Sequence, residues 1–351
     1  MTTMASSTAT PLRALLFHTS QPPPKPSISR RFSLCHHHHI PLIIPQKTTL
    51  NFPPNRHFQL TIPCYATRSS SNRKNSGLVS VEVEDESESE SFRRKLTQAV
   101  LWVMEGVYIV WLFLLPFAPG DPVWAISSDT INALVGLSLN FFFILPMTNA
   151  VVGIHAIEAP VLHPMSEGLF NFVVAWTFMF APLLYTDFKN SRYKGSLDAL
   201  WGLQMFLTNT FLIPYMAIRL NGADVSDYPR KPSQLGTVMI KGAPVVGLIG
   251  GAVCAISILW ALYGRMDGDF GNLYERWNFL LSYLGSERLA YAFIWDIVLY
   301  MIFQPWLIGE NLPNVAEDRL MFVKYARYIP VLGLLAYLLC LKREVVEELL
   351  E

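Results

Sequence analysis

The stretch 240–263, IKGAPVVGLIGGAVCAISILWALY, decides the fold class. Beyond Lys241 it carries no charge, and it is longer than the roughly 20 residues an α-helix needs to cross a bilayer core. Apolar and polar positions do not alternate in it, so a barrel strand is excluded. Backbone groups in lipid must pair within their own segment, which makes this stretch a helix. Ala243, Gly247, Gly251 and Ala255 recur every fourth position. They place small residues on one face, where a second helix is expected to approach closely.

Similar apolar stretches lie on both sides, near 98–118, 130–155, 167–185, 197–219, 288–307 and 325–341. Together they predict an all-α polytopic transmembrane helical bundle over 97–341, with about seven spans, followed by a short polar tail at 342–351. Trp124, Tyr185, Trp201, Tyr215, Tyr263, Trp306 and Tyr325 flank these runs, as interfacial aromatics do. Composition agrees: 52% of residues are hydrophobic and 15% charged, where a soluble domain carries about a quarter charged. Mean hydropathy is +0.31. Pro146, in mid-span, cannot donate to the carbonyl of Phe142; an ordinary proline kink is expected there, with a broken helix beside a ligand cavity as the sharper alternative and Thr148 and Asn149 as nearby partners.

Before the apolar part the character changes. From Met1 to Val81 there is no Asp or Glu, while Ser, Pro, Arg and Lys recur. That composition describes an organelle transit peptide. Its prolines and uncharged first dozen residues favour a plastid, and 1–66 is the expected leader. EVEDESESE (82–90) and FRRK (92–95) then form an acidic, disordered linker over 67–96. The destination is a multi-pass position in the thylakoid or the inner envelope. The basic residues divide too evenly to orient a seven-span chain: Lys189, Arg192 and Lys194 oppose Arg93, Arg94, Lys95, Arg230, Lys231 and Lys241.

Net charge is zero, so a nucleic-acid partner is excluded; membrane lipids, other plastid membrane proteins and pigments are the expected partners. Of the four cysteines only Cys254 and Cys340 lie beyond the leader, without a CxxC pair. The run His36 to His39 falls in the leader, which leaves His155 and His163. Two histidines cannot build the histidine boxes of membrane di-iron enzymes. HExxH, GxSxG and GxxxxGK[ST] are missing, as is a paired aspartate-rich motif for a prenyl diphosphate. No metal site is assigned, and no cofactor is specified.

Polar groups in hydrocarbon are costly, and they define the candidate site. GIHAIEAPVLHPMSEGLFN holds His155, Glu158, His163, Glu167 and Asn171. His155 and Glu158 share a helical face at i,i+3, and Glu167 and Asn171 share one at i,i+4. A corner between two helices would bring both imidazoles and both carboxylates together, a set suited to metal, haem or chlorophyll ligation or to proton relay. Glu105 lies deep in a span, and Asp296, Tyr300 and Gln304 form one polar stripe at i, i+4 and i+8. Such residues serve either as hydrogen-bonding glue between helices or as an ion pathway. Three functions stay open: an accessory or assembly factor holding pigment, quinone or lipid; a secondary transporter of a small metabolite or ion; and an enzyme on a lipophilic substrate.

Overall fold

The computed structural model describes residues 76–152, 159–222, 231–265 and 268–342, with side chains from Glu88 onward except at 150–152. The leader, His155 and Glu158 lie outside the described residues, as does the tail beyond Lys342. Among the described residues the chain is helical, with no strand and one isolated bridge between Val315 and Leu341. In chain order the α-helices are α1 Ser76–Ile109, α2 Ser128–Leu139, α3 Ile144–Val152, α4 Pro164–Tyr185, α5 Leu197–Leu207, α6 Asn209–Ile218, α7 Gln234–Lys241, α8 Ala243–Tyr263, α9 Leu273–Ser286, α10 Arg288–Glu310, α11 Leu320–Ala326 and α12 Leu332–Leu339.

Among the described residues, four helices are long and apolar enough to cross a membrane, fewer than the seven expected: 88–114 (α1 with the π-helical turn Val110–Leu114), α4, α8 and α10. The bent pair α2–α3 would make a fifth. The expected span 197–219 is split into α5 and α6 at Thr208 (φ 42°, ψ −112°), and 325–341 is split at Arg327–Val331. Within the expected linker α1 begins at Ser76, and Glu88, Ser89 and Glu90 are exposed.

α4 and α10 form the frame. They run parallel and in register, with Phe170 packed on Phe293, Thr177 bonded to Tyr300 and Asp187 bonded to Asn311. α4, with 22 residues, is about 33 Å long, and nearly all of it is buried. Its start meets Arg265 and its end meets Arg219, and these two ends give the bundle its direction.

The α5–α6 and α11–α12 pairs each begin and finish at the same end. Asp198, at the start of α5, accepts from Tyr185 Oη at 2.7 Å, and Arg219, after α6, pairs with Asp187. α5 and α6 are therefore a hairpin that enters from the Arg219 end and turns back at Thr208. α11 and α12 make a second hairpin from that end, closed by Ala316 N–H to Cys340 O and Lys342 N–H to Asn314 O, each 2.9 Å. α2–α3 starts beside Glu287, the residue before α10, and the chain is back at the Arg265 end by Pro160, whose carbonyl accepts from Asn140 and Arg265.

The small-residue stripe on α8 divides its work. Gly247 and Gly251 face Leu335 and Leu338 of α12, whereas Ala255 is exposed. The tighter approach, to α4, uses Gly250 against Met179 and Ala175, and Gly168 of α4 against the Ser257 carbonyl. Stripe spacing picked out the helix correctly but not the face that meets α4.

A Cβ on Gly168 would sit 2.6 Å from the Ser257 carbonyl oxygen and 2.8 Å from Ala261 Cβ, while one on Gly106 would meet nothing within 4 Å. Gly168→Ala should cost about 1–3 kcal/mol and lower the melting temperature in detergent, with Gly106→Ala neutral. Equal melting temperatures for the two variants would show that α4 and α8 do not pack this closely.

Candidate functional site at the helix breaks

A helix break strands backbone donors and acceptors, which must find partners when water is absent. The break in α2–α3 lies at Asn140–Phe143, one turn before Pro146, with Phe142 at φ 51° and Phe143 at φ 56°. The Phe142 N–H donates to Asn171 Oδ1 at 2.6 Å, and Asn171 Nδ2 donates to the Asn140 and Glu167 carbonyls at 3.3 and 3.0 Å. Thr148 was an expected partner for the Phe142 carbonyl, but its hydroxyl bonds the Ile144 and Leu145 carbonyls instead.

Glu167, fully buried, receives two donors on each oxygen. Asn140 Nδ2 and Arg265 Nη2 reach Oε1, both at 2.6 Å; Trp260 Nε1 and Arg265 Nε reach Oε2 at 2.7 and 3.0 Å. Arg265 adopts a left-handed φ of 58° directly after α8, a costly backbone state for a residue with a Cβ. Its two-pronged grip on Glu167 offsets that strain. A carboxylate committed to a guanidinium in this way is a strut rather than a free ligand.

Of the corner set, His155 and Glu158 lie outside the described residues, and Glu167, Asn171 and His163 can be placed. Glu167 and Asn171 converge. His163 instead caps α4, its Nδ1 accepting from Met165 N–H at 3.2 Å, and its ring stacks on Phe279 with centroids 3.4 Å apart. Burial, helped by the charge of Arg276, pushes its imidazole down to about 4, so it is neutral near pH 7. Among the described residues no group of three His, Cys, Asp or Glu could hold a metal.

At the α5–α6 turn the partner is Asp296. Its Oδ1 accepts from Tyr108 Oη at 3.0 Å, Thr208 Oγ1 at 2.6 Å and Asn209 Nδ2 at 2.8 Å. Asp296 is 2% exposed. Glu105, one turn before Tyr108 on α1, is also buried, and its Oε2 has no partner among the described residues. The other two members of the stripe bind elsewhere. Tyr300 bonds Thr177 at 2.5 Å, while Gln304 accepts from Trp176 Nε1 and donates to the Arg327 and Ile329 carbonyls, all at 2.9 Å. Gln304 thus serves the α11–α12 break as Asp296 serves the α5–α6 break.

The Arg219 end holds a cluster that the sequence reading did not single out. Asp187 receives Arg219 Nη2 and Asn311 on Oδ1 at 2.7 and 2.9 Å, and Arg219 Nε and Tyr215 on Oδ2 at 2.8 and 2.6 Å. Burial alone would raise this carboxyl, but Arg219, Tyr215 and Asn311 hold it below the usual range. Arg219 also faces Glu310 at 3.0 Å. Spacing offers no signal for a pair separated by a whole hairpin. Arg265 was equally hidden, being one residue past an apolar run.

No protein-family model, curated protein or solved structure matches the chain.

Removing one partner of a buried ion pair leaves an uncompensated charge, a loss of about 3–5 kcal/mol. Arg265→Ala should fall in that range, and the double variant Arg265→Ala, Glu167→Ala should recover part of it. Additive losses in thermal or denaturant unfolding would show the pair to be uncoupled.

Proposed function

We propose that this chain is an integral plastid membrane protein, of the thylakoid or inner envelope, that moves a small metabolite or ion along a path closed by the α5–α6 hairpin. The observation that carries this reading is the hairpin tip, Thr208 and Asn209, resting on the Asp296 carboxyl inside the bundle. Discontinuous helices meeting an ionisable group deep in the bilayer are the recurring construction of secondary transporters. The transit-peptide composition of 1–66 supports the plastid address.

In this reading α1, α4, α8 and α10 cross the bilayer, and the α5–α6 and α11–α12 pairs each enter and leave from the Arg219 side. The charges then sort themselves. Arg93, Arg94, Lys95, Lys189, Arg192, Lys194, Arg219 and Lys342 lie toward the Arg219 end, and Arg265, Arg276 and Arg288 toward the other. Lys189, Arg192 and Lys194 join Arg93, Arg94 and Lys95 once 197–219 turns back. Cation-rich ends stay on the side of synthesis or import, so the Arg219 end faces the stroma.

A second reading, an accessory subunit of a larger complex, is supported by α1, whose apolar residues Trp102, Val103, Val107 and Trp111 are uncovered. The enzyme reading has less support, since His163 is a cap and Glu167 a strut.

Two experiments follow. With Cys254 and Cys340 replaced by Ala, Lys194→Cys and Gly222→Cys should react with an impermeant thiol reagent from the same side, and Gly285→Cys from the other. Labelling of positions 194 and 222 from opposite sides would restore a full span between them. In proteoliposomes of the mature protein, a trapped pH dye and a panel of small ions and organic acids should reveal flux that Asp296→Asn cuts at least tenfold. Wild-type vesicles no leakier than empty ones would end the transport reading, and migration of the protein within a larger native complex would then favour the accessory one.

A further inference from the structure

We infer that Asp296 holds a proton when the α5–α6 hairpin is seated, its Oδ2 being a proton-binding site and the hairpin tip the element that senses it. The purpose rests on the transport reading above; the geometry does not.

Three buried acids in this protein can be compared donor by donor. Glu167 takes two donors on each oxygen, two of the four from Arg265. Asp187 takes two on each, two of the four from Arg219. That even distribution over both oxygens, completed by a guanidinium, suits a delocalised negative charge. Asp296 differs in both respects. All three side-chain donors converge on Oδ1, none of them reaches Oδ2, the Asn209 backbone N–H also lies against the carboxyl, and no Lys, Arg or His among the described residues bonds it. Side-chain donors crowded on one oxygen, with no cation on either, is the pattern of a neutral carboxylic acid, with Oδ1 as the carbonyl and Oδ2 as the hydroxyl. An ionised carboxylate here would be a buried charge with no counter-charge, and such a group neutralises itself by taking up a proton.

The surroundings supply no alternative. α1 presents Glu105 and Tyr108, and α10 presents Tyr300, none of them a cation. The ionisable groups of α5–α6, namely Asp198, Tyr215 and Arg219, sit at the far end of the hairpin, and α4 carries no charge between Glu167 and Asp187. When the Oδ2–H bond breaks and the proton leaves to water, the negative charge spreads over both oxygens and draws donors toward Oδ2. Thr208 and Asn209 are two of the three donors, and they are the turn of the hairpin. Proton release therefore favours a shifted tip, and proton uptake the seated one.

The test is infrared difference spectroscopy on the mature protein in lipid nanodiscs near pH 7, in H2O and D2O. The wild type should show a protonated-carboxyl C=O band that shifts in D2O, and one component of it should vanish in Asp296→Asn while surviving in Glu105→Gln. Asp296→Asn, a neutral isostere, should fold and melt with the wild type. Superimposable carboxyl bands in wild type and Asp296→Asn would overturn the assignment, and so would an Asp296→Asn protein that fails to fold. Wild-type vesicles without flux would remove the transport reading and leave the proton on Asp296 standing.

Discussion

Backbone groups released where a helix breaks inside an apolar bundle have no water to turn to, and this constraint organises the molecule. Three helix pairs are broken, and α4 or α10 serves each break. Asn171 of α4 takes the Phe142 N–H; Asp296 of α10 holds the turn at Thr208; Gln304 of α10 holds the carbonyls at Arg327 and Ile329. The two supporting helices are themselves joined by Thr177–Tyr300 and Trp176–Gln304. Polar residues that look out of place in apolar helices are what allow their neighbours to stop and turn.

The buried ion pairs have a related use. Against a well-packed apolar alternative such a pair contributes little net stability. Its value is in fixing position. Glu167–Arg265 ties the end of α8 to the start of α4, and Asp187–Arg219 ties the end of the α5–α6 hairpin to the end of α4. The ends of the hairpin are thus anchored by charge, while its tip is held by hydroxyl and amide donors to one acid oxygen. Arg288 plays a similar part for α1, donating to the Leu112, Leu115, Ala118, Pro119 and Gly120 carbonyls that close its final turns.

The helical class and the helical polar patterns were legible because they depend on periodicity within one segment. Asp296, Tyr300 and Gln304 do share a face, and Glu167 and Asn171 do act together. What the sequence hid depends on contacts between segments. Hydropathy marks 197–219 as one apolar run, since Thr208 and Asn209 are short interruptions that a span tolerates; only the Tyr185–Asp198 and Asp187–Arg219 contacts reveal that the run doubles back. Pro146 pointed first to a kink; a break forms instead, one turn earlier, where Phe142 and Phe143 take left-handed backbone. Spacing could pair His155 with Glu158 and Glu167 with Asn171, but it could not foresee that Arg265, nearly a hundred residues later, would claim Glu167.

The breaks are not equally satisfied, and the difference has a direction. At Asn140–Phe143 a guanidinium, an indole and one amide saturate the Glu167 carboxylate, so opening there would strand a charge. At Thr208 the seat is an acid without a counter-charge; Asn209 Oδ1 of the turn and Glu105 Oε2 of α1 are buried without partners among the described residues, as is Asn140 Oδ1 at the other break. Unpaired buried groups lower the cost of rearrangement, because the seated state has fewer bonds to lose. Segments that move in a working protein come from such low-stability regions. A bundle clamped by charge at both ends of α4 and held loosely at one interior turn concentrates its motion at that turn, which is where a group that gains and loses a proton can act on it.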